Sequence, residues 1–246
     1  MKSKKFQPKE KNRLEKIASW YNPQNKNRSV ENIHINYLSD VLIPILRGPR
    51  VLEMGCSTGV MTKRLVKKFP NLTVIDGSKE YIEYTKNLVK ANNARFIVSL
   101  FEDFETQKKF DDIIISHALE HVGDPVFILK KAKSWLKKDG KIHIMLPSAQ
   151  SLHRRIGQKM GVIKNLEDLT EKERKIGHRR VYSRESLKKD VEKAGLKVIF
   201  QQSIFLKPLS ASQMQNWDEK ILYALFEIGK ELPEYCATLY FVCKKI

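Results

Sequence analysis

At 246 residues, with 41% hydrophobic and 30% charged residues, the chain is long enough to bury one large α/β core, and its composition excludes a fibrous or disordered protein. Its formal charge of +18 suits nucleic acid, anionic lipid or a phosphorylated ligand, although the lysines are dispersed as on solvated helix faces. No apolar run reaches the roughly 20 residues that cross a bilayer, the basic start MKSKKFQPKEKNR lacks the apolar stretch of a secretory signal, and Cys56, Cys236 and Cys243 form an odd set without a CxxC pair, which points to a reducing cytoplasm.

Residues 1–28 read as a basic extension, with Trp20 and Tyr21 as packing points. A helix is predicted from Ser29 to about Leu46, where Ile33, Tyr37, Val41 and Ile45 recur every four residues. Alternation then begins, with strand Arg50–Met54, helix Val60–Phe69, strand Leu72–Ile75 and helix Lys79–Ala91 capped by Ser78. Phe96–Val98 and Ile113–Ser116 are the next strands, the second apolar throughout, as a sheet covered on both faces requires. Asp124-Pro125 opens a helix that Asp139-Gly140 is expected to stop, before strand Lys141–Leu146. Repeated β–α units imply right-handed crossovers and a parallel sheet.

Beyond residue 147 the regularity breaks. A basic, partly helical insertion is expected over about 148–182, then helix Ser183–Lys193 and strand Lys197–Phe205. A second insertion, about 207–235, holds a helical stretch from about Ser210 to Lys230, and Thr238–Cys243 is a last apolar strand; the two strands that this connection joins can pair antiparallel at the sheet edge. No linker or repeat divides residues 29–246, which read as one domain.

Val51-Leu52-Glu53-Met54-Gly55-Cys56-Ser57-Thr58-Gly59 carries a strand into a glycine-containing turn and then a helix. Backbone N–H groups at such a helix start face a ligand. Ser57 and Val60 stand where the second and third glycines of a GxGxxG dinucleotide fingerprint would be, which weighs against NAD or FAD. Asp76 ends the next strand at the spacing where an acidic side chain meets ribose hydroxyls; it could alternatively cap the helix that follows.

On these residues the chain resembles the class I S-adenosylmethionine (SAM) dependent methyltransferases. VLEMGCSTG is similar to their motif I and VIDGSKEYIEYTK to their second motif, while FDDIIISHALEHVGDP and LKKDGKIHIMLPSA match the small-molecule branch. The resemblance implies a Rossmann-like α/β fold with a mostly parallel seven-stranded sheet, an antiparallel last strand and helices on both faces. It implies SAM as cofactor and S-adenosylhomocysteine as product. Glu53, Gly55, Cys56, Ser57 and Gly59 are expected at the methionine end, Asp76 and Gly77 at the ribose, and His117 beside the methyl donor. Leu100, Phe101 and Glu102 are expected around adenine, although SLFEDFE departs from the family's usual Gly-Asp-Ala-type segment, with Leu100 at the Asp position.

Methyl transfer to a hydroxyl profits from a general base. His121, in His117-Ala118-Leu119-Glu120-His121, and His178 are the candidates. Glu120, His153, Arg154, Arg179, Tyr182 and Lys207 are expected on the acceptor side, where histidine and arginine serve as base and anion clamp. No metal is expected, because His117 and His121 lack a second cluster at ligand spacing. The expected acceptor is a small molecule, anionic ones included: a sugar, a lipid head group or a phosphorylated intermediate, methylated on O or N. A nucleic-acid methyltransferase is the alternative that would use the charge, but SHALEHV replaces the Asn/Asp-Pro-Pro-Tyr/Phe run of exocyclic-amine methylases. A SAM-binding, non-catalytic subunit is the third reading.

Overall fold

A computed structural model describes residues 8–20 and 29–246; Tyr21 and the side chain of Trp20 lie outside the described residues. Helices α1 (Pro8–Trp20) and α2 (Ser29–Leu42) precede the first strand. The alternating core runs β1 (Arg50–Met54), α3 (Val60–Leu65), β2 (Asn71–Asp76), α4 (Lys79–Val89), β3 (Ala94–Val98), β4 (Phe110–Ser116), α5 (Pro125–Trp135) and β5 (Leu136–Pro147). Then come α6 (Leu152–Lys159), α7 (Glu171–Lys175), α8 (Arg184–Lys193), β6 (Leu196–Ile204), α9 (Glu219–Glu231) and β7 (Thr238–Lys245).

The seven strands form one sheet in the order β3-β2-β1-β4-β5-β7-β6. All pairs from β3 to β5 are parallel, whereas β7 is antiparallel to both β5 and β6. The last strand therefore lies between β5 and β6, and the antiparallel pair of β6 and β7 forms the sheet edge, as expected.

Alternate side chains of each central strand enter separate cores, as the two-residue strand period dictates. Leu52, Ile113, Ile115 and Ile144 face Ile128, Trp135 and Leu187 of α5 and α8. Val51, Val74, Ile114 and Tyr240 face Leu38, Leu65, Ile82 and Phe226 of α2, α3, α4 and α9. Within the sheet, His143 is wholly buried, with Nδ1 2.8 Å from the Tyr240 hydroxyl and Nε2 3.0 Å from Asp112 Oδ1. The other Asp112 oxygen accepts the Arg47 and Gly48 N–H groups at 2.8 and 2.9 Å, so the entry to β1 is tied to β4 and β5.

Several element boundaries differ from the sequence expectation, among them the following. Asp139-Gly140 does not stop α5, which ends at Trp135; both residues lie inside β5. A Cβ on Gly140 would sit 2.8 Å from the Phe110 carbonyl, so this glycine serves the close approach of β4. The helix expected from Ser210 begins only at Glu219, capped by Asp218, whose carboxylate accepts the Lys220 N–H at 2.8 Å. Ser210 instead bonds its own turn through Gln213, the usual competition of short polar side chains with helix. The helix after β1 stops at Leu65, four residues early.

Candidate functional site

The parallel strands present the ends of β1, β2, β4 and β5 on one side of the sheet, where open α/β folds bind ligands. A cavity of about 820 Å³ opens there, large enough for a cofactor and a small second substrate.

The turn after β1 is shaped by its backbone. Gly55, Ser57 and Gly59 have φ of 88°, 45° and 73°. A Cβ at Gly59 would meet Thr85 at 2.8 Å, and one at Gly55 would approach Ala118 at 3.2 Å. Bare backbone is thus required at both places. Asp76, at the end of β2, accepts the N–H groups of Cys56 at 3.0 Å and Ser57 at 3.3 Å on one oxygen, and that of Ser78 at 2.9 Å on the other. Ser78 caps α4 by itself through the Tyr81 N–H. Asp76 therefore clamps the turn to the start of the next segment while facing the cavity.

Glu53 is buried, and one of its oxygens accepts the Thr62 hydroxyl at 2.7 Å. Burial pushes its carboxyl up to about 8, and Asp76 nearby adds to the rise; burial raises Asp76 as well. Two desolvated carboxyls beside a glycine cradle suit a cationic ligand. Leu100, Phe101 and Glu102 line the neighbouring wall, with Leu100 3.0 Å from the place of a Cβ on Gly77. The cationic sulfonium and ammonium groups, ribose and adenine of SAM match this sequence of carboxyls, bare turn and apolar wall.

Across the cavity, His117 has a left-handed φ of 49°, and its N–H donates to the Met145 carbonyl at 2.8 Å. Its Nε2 is buried without a partner among the described residues, as are both Glu120 oxygens, Nδ1 of His153 and Nδ1 of His178. All four imidazoles, His117, His121, His153 and His178, line the cavity. Burial lowers His117 and His178 to about 4, and His121 and His153 to about 3, with neighbouring cationic groups adding to the fall. Burial also lowers Lys207 to about 8 and raises Glu120 to about 8. His121 and His178 meet edge to face with ring centroids 4.7 Å apart.

Three residues expected on the acceptor side have other employment. Tyr182 is 2% exposed, belongs to the core, and donates its hydroxyl to Asp190 at 3.0 Å. Arg154 lines the cavity, but its guanidinium is consumed by the Leu166 and Asp168 carbonyls and by Glu173. Arg179 binds the His121 carbonyl at 2.9 Å and Glu10 at 2.9 Å. Among arginines of the 148–182 insertion, these two build the cavity's frame and are not free clamps.

Sequence reasoning missed α1. Pro8–Trp20, part of the expected extension, brings Glu10, Arg13, Leu14 and Ile17 to the cavity wall. Glu15 accepts the Ser78 hydroxyl and the Lys79 N–H, each at 2.9 Å, while Arg13 donates to the carbonyls of Gly177 and His121 at 3.0 and 3.2 Å. Besides Trp20 and Tyr21, Leu14 and Ile17, three apart in a charged segment, are the signal of a packing face that the sequence offered.

Residues 21–201, well over half of the chain, match the model of a methyltransferase domain family. The chain is 30% identical over 151 residues to the ubiquinone biosynthesis O-methyltransferase of Pelagibacter ubique, covering 55% of this chain and 63% of that protein. It is 32% identical over 95 residues to malonyl-[acyl-carrier protein] O-methyltransferase 1 of Ilyobacter polytropus, covering 37% and 35%. The chain spans less than two thirds of the length of these relatives. Among solved structures, a chain from the Haloferax volcanii complex of a methyltransferase with its activator superposes with a TM-score of 0.64 at 18% identity, covering 94% of this chain and 96% of that one. The N-methyltransferase NodS of Bradyrhizobium japonicum, in complex with S-adenosylhomocysteine, gives 0.56 at 15%, covering 90% and 89%. At such identities these superpositions speak to the fold alone. Family model, sheet order and the turn between β1 and α3 agree: the chain belongs to the class I, Rossmann-like family of SAM-dependent methyltransferases.

Proposed function

We propose that this chain methylates an oxygen of a small, anionic acceptor held in the far half of the cavity. The observation that carries this reading is the set of buried, unpartnered polar groups of His117, Glu120, His153 and His178, facing a cofactor half built from Glu53, Asp76 and the turn 55–59. When bound, SAM supplies a methyl group made electrophilic by its sulfonium. The residues do the rest. Asp76 and the turn position the donor, and holding two reactants in near-attack geometry is worth roughly 7–11 kcal/mol. The imidazoles are neutral at pH 7 and one of them receives the acceptor's proton, but the burial that lowers them to about 3–4 makes each a weaker base than a free imidazole and holds its share below the usual about 10²–10⁴-fold.

Lys207 and Lys172 line the same space and offer positive charge to a carboxylate or phosphate on the acceptor. The relatives' names support O-methyl chemistry, on ubiquinone precursors in one case and malonyl-acyl carrier protein in the other. No described helix is long and apolar enough to cross a membrane; free, buried cysteines support a cytoplasmic setting.

The test is calorimetric titration of SAM into wild type and Asp76→Ala, then methyl transfer from labelled SAM to hydroxylated carboxylates and phosphates. Expected are binding that falls by at least about tenfold in the variant and a methylated oxygen in the product. A folded wild type that binds NAD and no SAM would sink the reading. The charge of +18 is what a nucleic-acid acceptor would explain; a salt-dependent mobility shift on transfer RNA, followed by methyl incorporation, would favour that reading instead.

A further inference from the structure

Glu120, His121 and His178 converge at the acceptor end of the cavity. One ligand-capable atom of each lies within 4.8 Å of the other two. They arrive from separate segments, Glu120 and His121 from the turn after β4 and His178 from just beyond α7.

Glu120 is 1% exposed, yet neither of its carboxylate oxygens has a hydrogen-bond partner among the described residues. Its nearest basic neighbour, His117 Nδ1, stands 3.8 Å away, beyond hydrogen-bond reach. Protonation would neutralise the group but leave its O–H with nothing to donate to. Nδ1 of His178 is likewise buried and unpartnered. Native proteins rarely leave three such atoms together unless something absent from the polypeptide satisfies them.

The backbone around these side chains is held firmly. The Arg179 N–H donates to the Glu120 carbonyl and the His178 N–H to the Glu173 carbonyl, both at 2.9 Å. Arg180 donates to the carbonyls of Leu119, Val122 and Gly123 at 3.2, 2.6 and 3.0 Å, which fixes the turn. The carbonyls of His121 and Gly177 are themselves held by Arg13, at 3.2 and 3.0 Å.

We propose that Glu120, His121 and His178 are the ligands of a divalent first-row transition cation, with an open coordination position toward the cavity for an oxygen of the acceptor. Two imidazoles and one carboxylate form a ligand set found where such ions act on substrates. Magnesium and calcium prefer oxygen ligands throughout. Atoms bonded to an ion at about 2.1 Å lie roughly 3.4 Å apart in a tetrahedron, so inward shifts of about 1 Å would close the site. Sequence spacing concealed the set, because the third ligand enters on the 148–182 insertion.

With the ion in place, His121 and His178 are ligands and not bases. His117, whose Nε2 remains unpartnered, then receives the acceptor's O–H proton. The oxygen's electron pair forms the bond to the methyl carbon, and the carbon–sulfur pair leaves with sulfur. This use of the ion rests on the methyl-transfer reading; ion binding itself does not.

The full-length chain, stripped with chelator, is titrated calorimetrically with zinc, manganese(II) and magnesium, and its ion content is measured after dialysis. Expected is one zinc or manganese ion per chain, with magnesium weaker. Glu120→Gln and His178→Ala should weaken ion binding at least about tenfold to a hundredfold while still binding S-adenosylhomocysteine, which shows the fold intact. Wild type that retains no ion, or Glu120→Gln that binds it equally well, overturns the site. Uptake abolished by both variants sustains the site even if no acceptor is methylated, so failure of the methyl-transfer reading stays distinct.

Discussion

Glu53 shows how position changes the chemistry of a side chain. On the surface its carboxyl would be ionised at pH 7; at the end of β1, burial and Asp76 hold it protonated up to about 8. A cation bound beside it reverses the balance, because the carboxylate then gains a partner. SAM binding at pH 7 should therefore release a proton from Glu53, and affinity should rise with pH until about 8 and then level. Calorimetry in buffers of different ionisation enthalpy measures the release. Glu53→Gln should remove that share of it, and an unchanged proton count would refute the assignment. At this scale the turn after β1 was legible: Gly55, Gly59 and Asp76 announce a turn and an acid by type and spacing. Glu120 was not, because its lack of partners depends on which residues fold around it.

Among the elements, α1 was the least legible. Its charged composition reads as a solvated extension, and only contacts distant in sequence, from Glu15 to Ser78 and from Arg13 to Gly177, reveal it as a wall of the site. Gly177 is the point to probe. It has φ of 85°, and a Cβ there would collide with Ile17 and lie 2.8 Å from Arg13. Gly177→Ala should cost about 1–2 kcal/mol for the left-handed backbone and push α1 outward. Faster hydrogen exchange confined to α1 and the 176–179 segment is the expected signature; exchange unchanged in α1 would show that the helix is not braced there. By contrast, β1 was read to the residue and β2 to within one at each end, whereas β4 begins at Phe110, three residues before the expected Ile113, because Asp111 and Asp112 interrupt its apolar run. Asp139-Gly140 was misread because a glycine needed for strand approach looks, in sequence, like a helix stop.

For the whole molecule, the cavity imposes a pH dependence on stability. The unfolded chain begins to protonate its histidines at about 6.5, whereas His117, His121, His153 and His178 resist until about 4 or 3. Across that window the unfolded state binds more protons at these four rings, so their share of stability is full above about 6.5 and is lost as the pH falls, whereas Glu53 and Glu120, raised to about 8, act with the opposite sign and lose stability as the pH rises toward 8. Thermal melts of the chelated protein through this range should show the loss. In the double variant His121→Gln/His178→Gln the slope should be shallower, and an identical slope would mean that these two rings are not kept neutral by the fold.

The division of labour between sequence and tertiary structure follows from the range of the forces involved. Apolar runs, glycine turns and N-caps act over a few residues, so the alternating α/β order, the glycine turn after β1 and the acid that ends β2 could be inferred from the chain alone. The insertion of β7 between β5 and β6, the burial of Tyr182, the engagement of Arg154 and Arg179, and the α1 wall arise from contacts between distant segments. So does the meeting of His178 with Glu120 and His121. Desolvation belongs to the same class: it depends on everything that surrounds a group, and only the folded chain could turn four ordinary histidines and two glutamates into the neutral lining of a cavity.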